Sequence, residues 1–338
     1  MIRPSFGRIT HHHPFCRVRL TGIYMLLQFR FNVLVQKNDR SIASTKRNTD
    51  HQASFILPSR KDHFNITSIN MAITYIETDG GKLAVEVEGQ GPLVICSPGM
   101  GDTREAYVPM AAQLVAAGYR VARVDLRGHG DSTANFNRYG DEATADDYLT
   151  TIQTLGADRA VLAGASMSAA AAYIAAGKQP DKIAGLVLIG AFLRNGGSKM
   201  MLYVLRMALL QPWGPTVWRS YASGLWPGLG EKAAAERAAT TTAMLARPGR
   251  WSAFRSTVAG CDHSVVEPYL GKVKVPGLVV IGDSDPDWSQ PLEEAKWVAS
   301  NFEDAETIAV AGAGHAPQFE NPDVVAPGVI SFLSKITF

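Results

Sequence analysis

The stretch AVLAGASMSAAAA, Ala160 to Ala172, passes from an apolar segment through two serines into a run of alanines. A serine on a sharp strand-to-helix turn is lifted above a sheet, and small residues two positions before and after it let the two backbones close up, as in the pattern G-x-S-x-G. Gly164 fills the first small position and Ser168 stands where the second glycine would be. Ser166 is therefore the candidate nucleophile and Ser168 a small spacer. Taken alone, the run also fits a plain strand entering a helix, so the assignment depends on partners elsewhere.

A serine hydroxyl attacks only when a base takes its proton. Of eight histidines, His11, His12, His13, His51 and His63 lie in the first seventy residues, which leaves His129, His263 and His315. His315 follows the last strand-like run in the Gly-rich segment AGAGHAPQFENP, which can swing an imidazole over a sheet edge, and it is the candidate base. His129, in DLRGHGDS, reads as a loop-organising or pocket-lining residue, and His263 falls inside a long helical stretch. An imidazole base needs a carboxylate to fix its tautomer. Asp283, Asp285 and Asp287 in GDSDPDW supply three, and no Asp or Glu occurs between Asp181 and Glu231, so the loop one strand earlier offers none. Asp285 is the choice because it lies far enough past the strand to turn toward His315. Any one of the three also fits a solvated turn or a helix cap.

The oxyanion formed in acyl transfer needs preorganised N–H donors. The backbone N–H groups of Met167, just after the serine, and of Met100, in the loop SPGMGDT, are the candidates, with Gly99 and Gly101 permitting close approach. The same loop also reads as an ordinary turn.

These residues need elements to hold them, and from Met71 onward short β-branched runs alternate with longer helical patterns. That alternation specifies an α/β fold: a mostly parallel eight-stranded sheet with helices on both faces. The strand-like runs are AITYIET, LAVEVEG, PLVICS, RVARVDL, RAVLAGA, AGLVLIG, GLVVIGD and ETIAVAG. The first two, joined by DGG, alternate apolar with polar residues and form an antiparallel edge hairpin. Helical patterns lie near Arg104–Ala117, Ala143–Leu155, Met167–Gly177, Gln290–Asn301 and Asp323–Leu333. Between the sixth and seventh strands an insertion of about eighty residues, about 193–273, is helical and rich in Trp, Met and Leu. Its segment KMMLYVLRMALLQ is apolar nearly all round, the pattern of buried core, and too short to cross a membrane. A helical cap over the loop ends of the sheet is the favoured reading, ahead of a surface-bound or dimerising element. Trp213, Trp218 and Trp226 are then candidate walls of an apolar substrate pocket, although such rings also simply pack a cap onto a sheet.

The charge is unevenly spread. Residues 1–70 carry 11 Lys and Arg against three Asp and no Glu, a balance of +8, which leaves −6 for the remainder of a chain whose net charge is +2. The first seventy residues show no sustained period, and the apolar run Leu20 to Val35 is interrupted by Gln28 and Arg30. They are read as a basic leader that is disordered or foreign to the native domain, which opens at Met71; a transit peptide and a tract for anionic surfaces are the other readings. Cys16, Cys96 and Cys261 are odd in number and far apart with no C-x-x-C pair, so neither a disulfide framework nor a zinc knuckle is indicated, and a reducing, cytoplasmic compartment fits best. No metal or cofactor is expected. The acidic body argues against a nucleic-acid partner.

From Met71 to Phe338 the chain resembles the α/β-hydrolase superfamily. The segments SPGMGDTREAYVPMAAQLVAAGYRVARVDLRGHGDS, GASMS, GDSDPD and GAGHAPQFENP fall in that family's order. The resemblance implies a Ser166–His315–Asp285 triad, oxyanion donors at Met100 and Met167, and a cap between the sixth and seventh strands. Two positions depart from the pattern: Pro98-Gly99 replaces the usual His-Gly before the oxyanion donor, and Ser168 replaces the last glycine of the elbow. A serine nucleophile implies a hydrolase of ester-like bonds, carboxylester or thioester, and the Trp- and Met-rich insertion points to a small to medium apolar substrate. Cofactor-free perhydrolases, C–C hydrolases and iminopeptidases share the same machinery, and a non-catalytic ligand-binding protein shares the fold.

Overall fold

The computed structural model describes residues 72–338, within the second of the two units into which the chain divides, Asn70–Phe338. The leader reading of residues 1–70, with Cys16 and five of the histidines, lies outside the described residues.

Eight strands form one sheet: β1 (Thr74–Thr78), β2 (Gly81–Glu88), β3 (Leu93–Ser97), β4 (Arg120–Val124), β5 (Ala160–Ala165), β6 (Ile183–Ile189), β7 (Gly277–Gly282) and β8 (Ala305–Val310), in the spatial order β1-β2-β4-β3-β5-β6-β7-β8. The β1–β2 hairpin is antiparallel and joins β4 antiparallel through the register Val85 opposite Val124. From β4 to β8 every neighbouring pair is parallel. Strands β3, β5, β6 and β7 are buried at every residue, which is why their sequences are apolar throughout instead of alternating.

The helices are α1 (Val108–Ala116), α2 (Asp141–Thr154), α3 (Met167–Lys178), α4 (Lys199–Ala208), α5 (Gly214–Ala222), α6 (Glu231–Leu245), α7 (Arg250–Gly260), α8 (Pro291–Ala299), the single turn α9 (Pro317–Glu320) and α10 (Pro322–Leu333). Two apolar cores follow, one on each face of the sheet. One gathers Ile152, Tyr173, Val298 and the alanines of α3; the other gathers Met110, Leu114, Val325 and Phe332. The alanine run of α3 has a steric purpose: Ala169–Ala172 are fully buried, and a Cβ on Gly164 would lie 2.3 Å from the Ser168 carbonyl oxygen. Small side chains let α3 lie directly on the strand that feeds it.

Helices α4 to α7 make up the insertion between β6 and β7, with their own apolar cluster of Leu209, Trp218, Trp226, Trp251 and Phe254. One expectation fails here. Helix α4 is not core: Met200, Tyr203, Val204 and Met207 stand exposed, so its apolar sequence marks a face with no covering element among the described residues. None of the described helices is long and apolar enough to cross a membrane.

Candidate active site

The site is built from loops that follow strands β3, β4, β5, β7 and β8, at the carboxyl ends of the parallel strands, where an open α/β sheet places its ligands. Strand β5 ends at Ala165 and α3 begins at Met167, so a single residue makes the turn. That residue, Ser166, has φ 57° and ψ −123°, a left-handed backbone that a side chain beyond glycine adopts only under constraint. The constraint is visible. The Ser166 N–H donates to the Ile189 carbonyl at the end of β6 at 2.8 Å, and its own carbonyl accepts from Ala169 N–H at 3.1 Å. Ser166 is 5% exposed.

Ser168 does more than keep the turn small. Its hydroxyl donates to the Pro98 carbonyl at 2.5 Å, fully buried, and so ties the elbow to the loop carrying Met100. The serine that stands in place of the elbow glycine thus has a hydrogen-bond partner. Ser168→Ala leaves that carbonyl unpaired in a dry site, at a cost of about 1–3 kcal/mol. The expected result, read by thermal denaturation, is a lower melting temperature.

The loop after β3 packs against the serine, since a Cβ on Gly99 would lie 2.9 Å from Ser166 Cβ. Gly101 is at φ 82°, and a Cβ there would lie 2.2 Å from the Trp218 ring of α5. His129 braces this loop, as a loop-organising residue should. Gly101 N–H donates to His129 Nε2 at 2.9 Å, which leaves the proton on Nδ1 to donate to the Arg127 carbonyl, also at 2.9 Å. Burial lowers its pKa to about 4, so the ring stays neutral and keeps accepting. Met100 packs with Met167, Leu126 and Cys261 in a small apolar cluster, so the side chains of the two expected oxyanion residues are neighbours. Met167 is the first residue of α3, where backbone N–H groups lack intrahelical partners.

His315 and Asp285 meet as expected. Asp285 Oδ2 lies 2.9 Å from His315 Nδ1, with both side chains buried, and the geometry places the Nδ1 proton between them. A Cβ on Gly190 would lie 3.2 Å from His315 Nδ1, so the imidazole and Ser166 both sit against the end of β6. Burial by itself disfavours the imidazolium, but the charges of Asp285 and Asp287 outweigh it and raise the His315 pKa well above the ordinary value. Asp283 faces elsewhere: its Oδ1 accepts from Gly312 N–H at 2.8 Å in an exposed turn.

Glu320 escaped the sequence reading, and Asp287, named there as a candidate but passed over for Asp285, also reaches the imidazole. Glu320 accepts from the backbone N–H groups of Gly314 at 2.9 Å, Ala316 at 3.0 Å and Gly228 at 2.8 Å, fixing the His315 loop from both sides and onto the insertion. Asp287 Oδ2 lies 3.5 Å from His315 Nδ1. With Asp285 and His315 it forms a group whose donor atoms fall within 4.8 Å of one another.

The helical insertion reaches each of the loops around Ser166. Trp218 lies over Gly101, the Leu225 carbonyl accepts from His315 N–H at 2.8 Å, and Arg237 pairs with the buried Asp102 while stacking on Phe319 at 3.9 Å. Arg250 donates to the Ser132 carbonyl at 2.8 Å, and Tyr221 hydrogen-bonds Asp287. Trp218 and Trp226 are buried in this layer. Trp213 is not: it is 53% exposed, with Nε1 donating to the Met207 carbonyl at 3.4 Å, so the expectation that it lines the pocket is corrected. It follows the exposed helix α4 and shares that helix's outward face.

Residues 93–327 match the model of the Alpha/beta hydrolase family. The chain belongs to this family. A 2-(acetamidomethylene)succinate hydrolase of Mesorhizobium japonicum is 25% identical over 276 residues, covering 75% of this chain and 93% of that protein. Among solved structures, a thermophilic esterase from Thermogutta terrifontis superposes with TM-score 0.68 at 26% identity, over 78% of this chain and 97% of the esterase. An enol-lactonase from Burkholderia xenovorans LB400 superposes with TM-score 0.69 at 22% identity, over 77% and 100%, a likeness of fold. The eight-stranded, mostly parallel sheet with helices on both faces is thus an α/β-hydrolase fold.

Proposed function

We propose that this α/β hydrolase is a serine esterase that acts on carboxylesters or thioesters of small to medium apolar molecules through an acyl-enzyme. The observation that carries the proposal is the strained Ser166, held at φ 57° against the same strand end as an imidazole whose Nδ1 is engaged by a buried Asp285. The relationship to an esterase of 26% identity supports the same class.

In this mechanism Ser166 Oγ attacks the acyl carbon while His315 Nε2 takes the hydroxyl proton. Asp285 keeps the Nδ1 proton in place and balances the imidazolium. The tetrahedral oxyanion is received by the N–H groups of Met167 and Met100, each donor of this kind being worth about 2.7–4 kcal/mol. His315 then gives its proton to the leaving oxygen or sulfur, the C–O or C–S bond breaks, and the acyl group stays on Ser166. Water, deprotonated by His315, releases the acid and restores the serine. Helices α4 to α7 act as the cap, and buried Trp218 and Trp226 favour an apolar acyl or alcohol group. A basic leader ahead of a domain opening at Met71 and a cytoplasmic location belong to the same proposal.

A panel of p-nitrophenyl esters and acyl thioesters of increasing chain length tests it. Saturable turnover is expected, with kcat/KM rising from acetyl to longer apolar acyl groups. Folded protein that turns over no ester or thioester contradicts the assignment.

A further inference from the structure

We infer that Asp287 is a second carboxylate for the His315 imidazole, a positioning residue that ties the base to the helical insertion through Tyr221. The inference rests on the proposal that His315 is the base, and adds a residue that the triad does not require.

The geometry is specific. Asp285 Oδ2 stands 2.9 Å from His315 Nδ1 and Asp287 Oδ2 stands 3.5 Å from the same nitrogen. The second distance is too long for a strong hydrogen bond but close enough for charge to act in a dry site. One turn sets both carboxylates, because Asp287 N–H donates to Asp285 Oδ1 at 3.0 Å. The remaining oxygen of Asp287 accepts from the Tyr221 hydroxyl on α5, a helix of the insertion. Asp287 and Tyr221 are thus a direct polar link between the insertion and the base.

The electrostatics give the link a consequence. Among the described residues facing Asp287, namely Asp285, Tyr221 and His315, only the imidazole can carry a positive charge. His315 itself faces Asp285 and Asp287, with the Glu320 carboxyl of α9 beyond them. Burial and the neighbouring Asp285 charge push the Asp287 carboxyl up, and His315 and the Tyr221 hydrogen bond oppose this only in part, so the charge on Asp287 depends on those two partners. An ionised Asp287 stabilises the imidazolium formed when Ser166 gives up its proton. Without the Tyr221 hydroxyl, Asp287 takes a proton more readily, its charge disappears, and His315 becomes a weaker base. The seating of α5 therefore sets the basicity of His315.

The sign is fixed. Removing the Asp287 charge lowers the proton affinity of His315, so the free base appears at lower pH. The test compares Asp287→Asn and Tyr221→Phe with the parent protein in two ways. One is the acid limb of kcat/KM against pH for p-nitrophenyl acetate. The other is the NMR titration of the His315 ring in a Ser166→Ala background, assigned by its loss in His315→Gln. Asp287→Asn is expected to move both midpoints down by about one unit or more, with a lower plateau kcat, and Tyr221→Phe to move them the same way by less. A structural role alone changes the melting temperature and leaves the midpoints in place. Unmoved midpoints in folded variants overturn the inference; if Asp287→Asn does not fold, Tyr221→Phe, which removes one oxygen, decides it alone. The ring titration needs no turnover, so a protein inactive on every ester sinks the proposed activity without deciding this measurement.

Discussion

Ser166→Ala lowers kcat for p-nitrophenyl ester hydrolysis by about 10⁴-fold or more, with KM little changed and the melting temperature equal to or above that of the parent. The size of the loss follows from what the hydroxyl does. In the proposed mechanism, loss of Oγ removes the acyl-enzyme and leaves His315, Asp285 and the proposed oxyanion donors able only to assist direct attack by water. The stability half of the prediction is as diagnostic. Ser166 sits at φ 57° and its described hydrogen bonds are backbone ones, N–H to Ile189 and carbonyl from Ala169, which alanine also makes. A serine serving only as part of the turn would show the opposite pattern, with stability changed and any activity preserved. Ser168 does not substitute as nucleophile, because it is fully buried and its hydroxyl is engaged by the Pro98 carbonyl.

Asp285→Asn is the second large effect, a fall in kcat of about 10³- to 10⁴-fold. Asparagine fills the same volume but cannot balance the imidazolium, and its amide can hold His315 in the tautomer that leaves Nε2 protonated and unable to accept from Ser166. Asp287, 3.5 Å from the same ring nitrogen, remains in the single variant. The double variant Asp285→Asn with Asp287→Asn is therefore expected to fall below the single one, measured by kcat at saturating ester. A double variant as active as Asp285→Asn would show that Asp287 contributes nothing to the ring.

Much of this was legible in the sequence because it is local. Strands β3, β5, β6 and β7 are nearly continuous apolar runs, so the middle of the sheet could be placed, and the chemistry is expected at its carboxyl ends. GASMS carries its own geometry, since Gly164 permits the approach that puts Ser166 on the turn. The order serine, aspartate, histidine came from loops that each follow a strand.

What was not legible depends on partners distant in the chain. The Ser168 hydroxyl reads as a spacer until Pro98, seventy positions earlier, is seen to accept from it. Asp287 is one of three candidate aspartates in the sequence until Tyr221 and His315 arrive from other elements. Glu320 lies five residues after His315, yet its role depends on three backbone N–H groups whose direction no sequence pattern specifies. Helix α4 shows the same limit for apolar residues: periodicity identifies a face and leaves open whether anything covers it.

The central claim is that Ser166 becomes acylated. Intact-protein mass spectrometry after treatment with a fluorophosphonate, followed by peptide mapping, tests it directly. One adduct per chain on the peptide containing Ser166, lost in Ser166→Ala and suppressed in His315→Gln, is the predicted result. Stoichiometric labelling at another residue, or labelling that persists in Ser166→Ala, would contradict it.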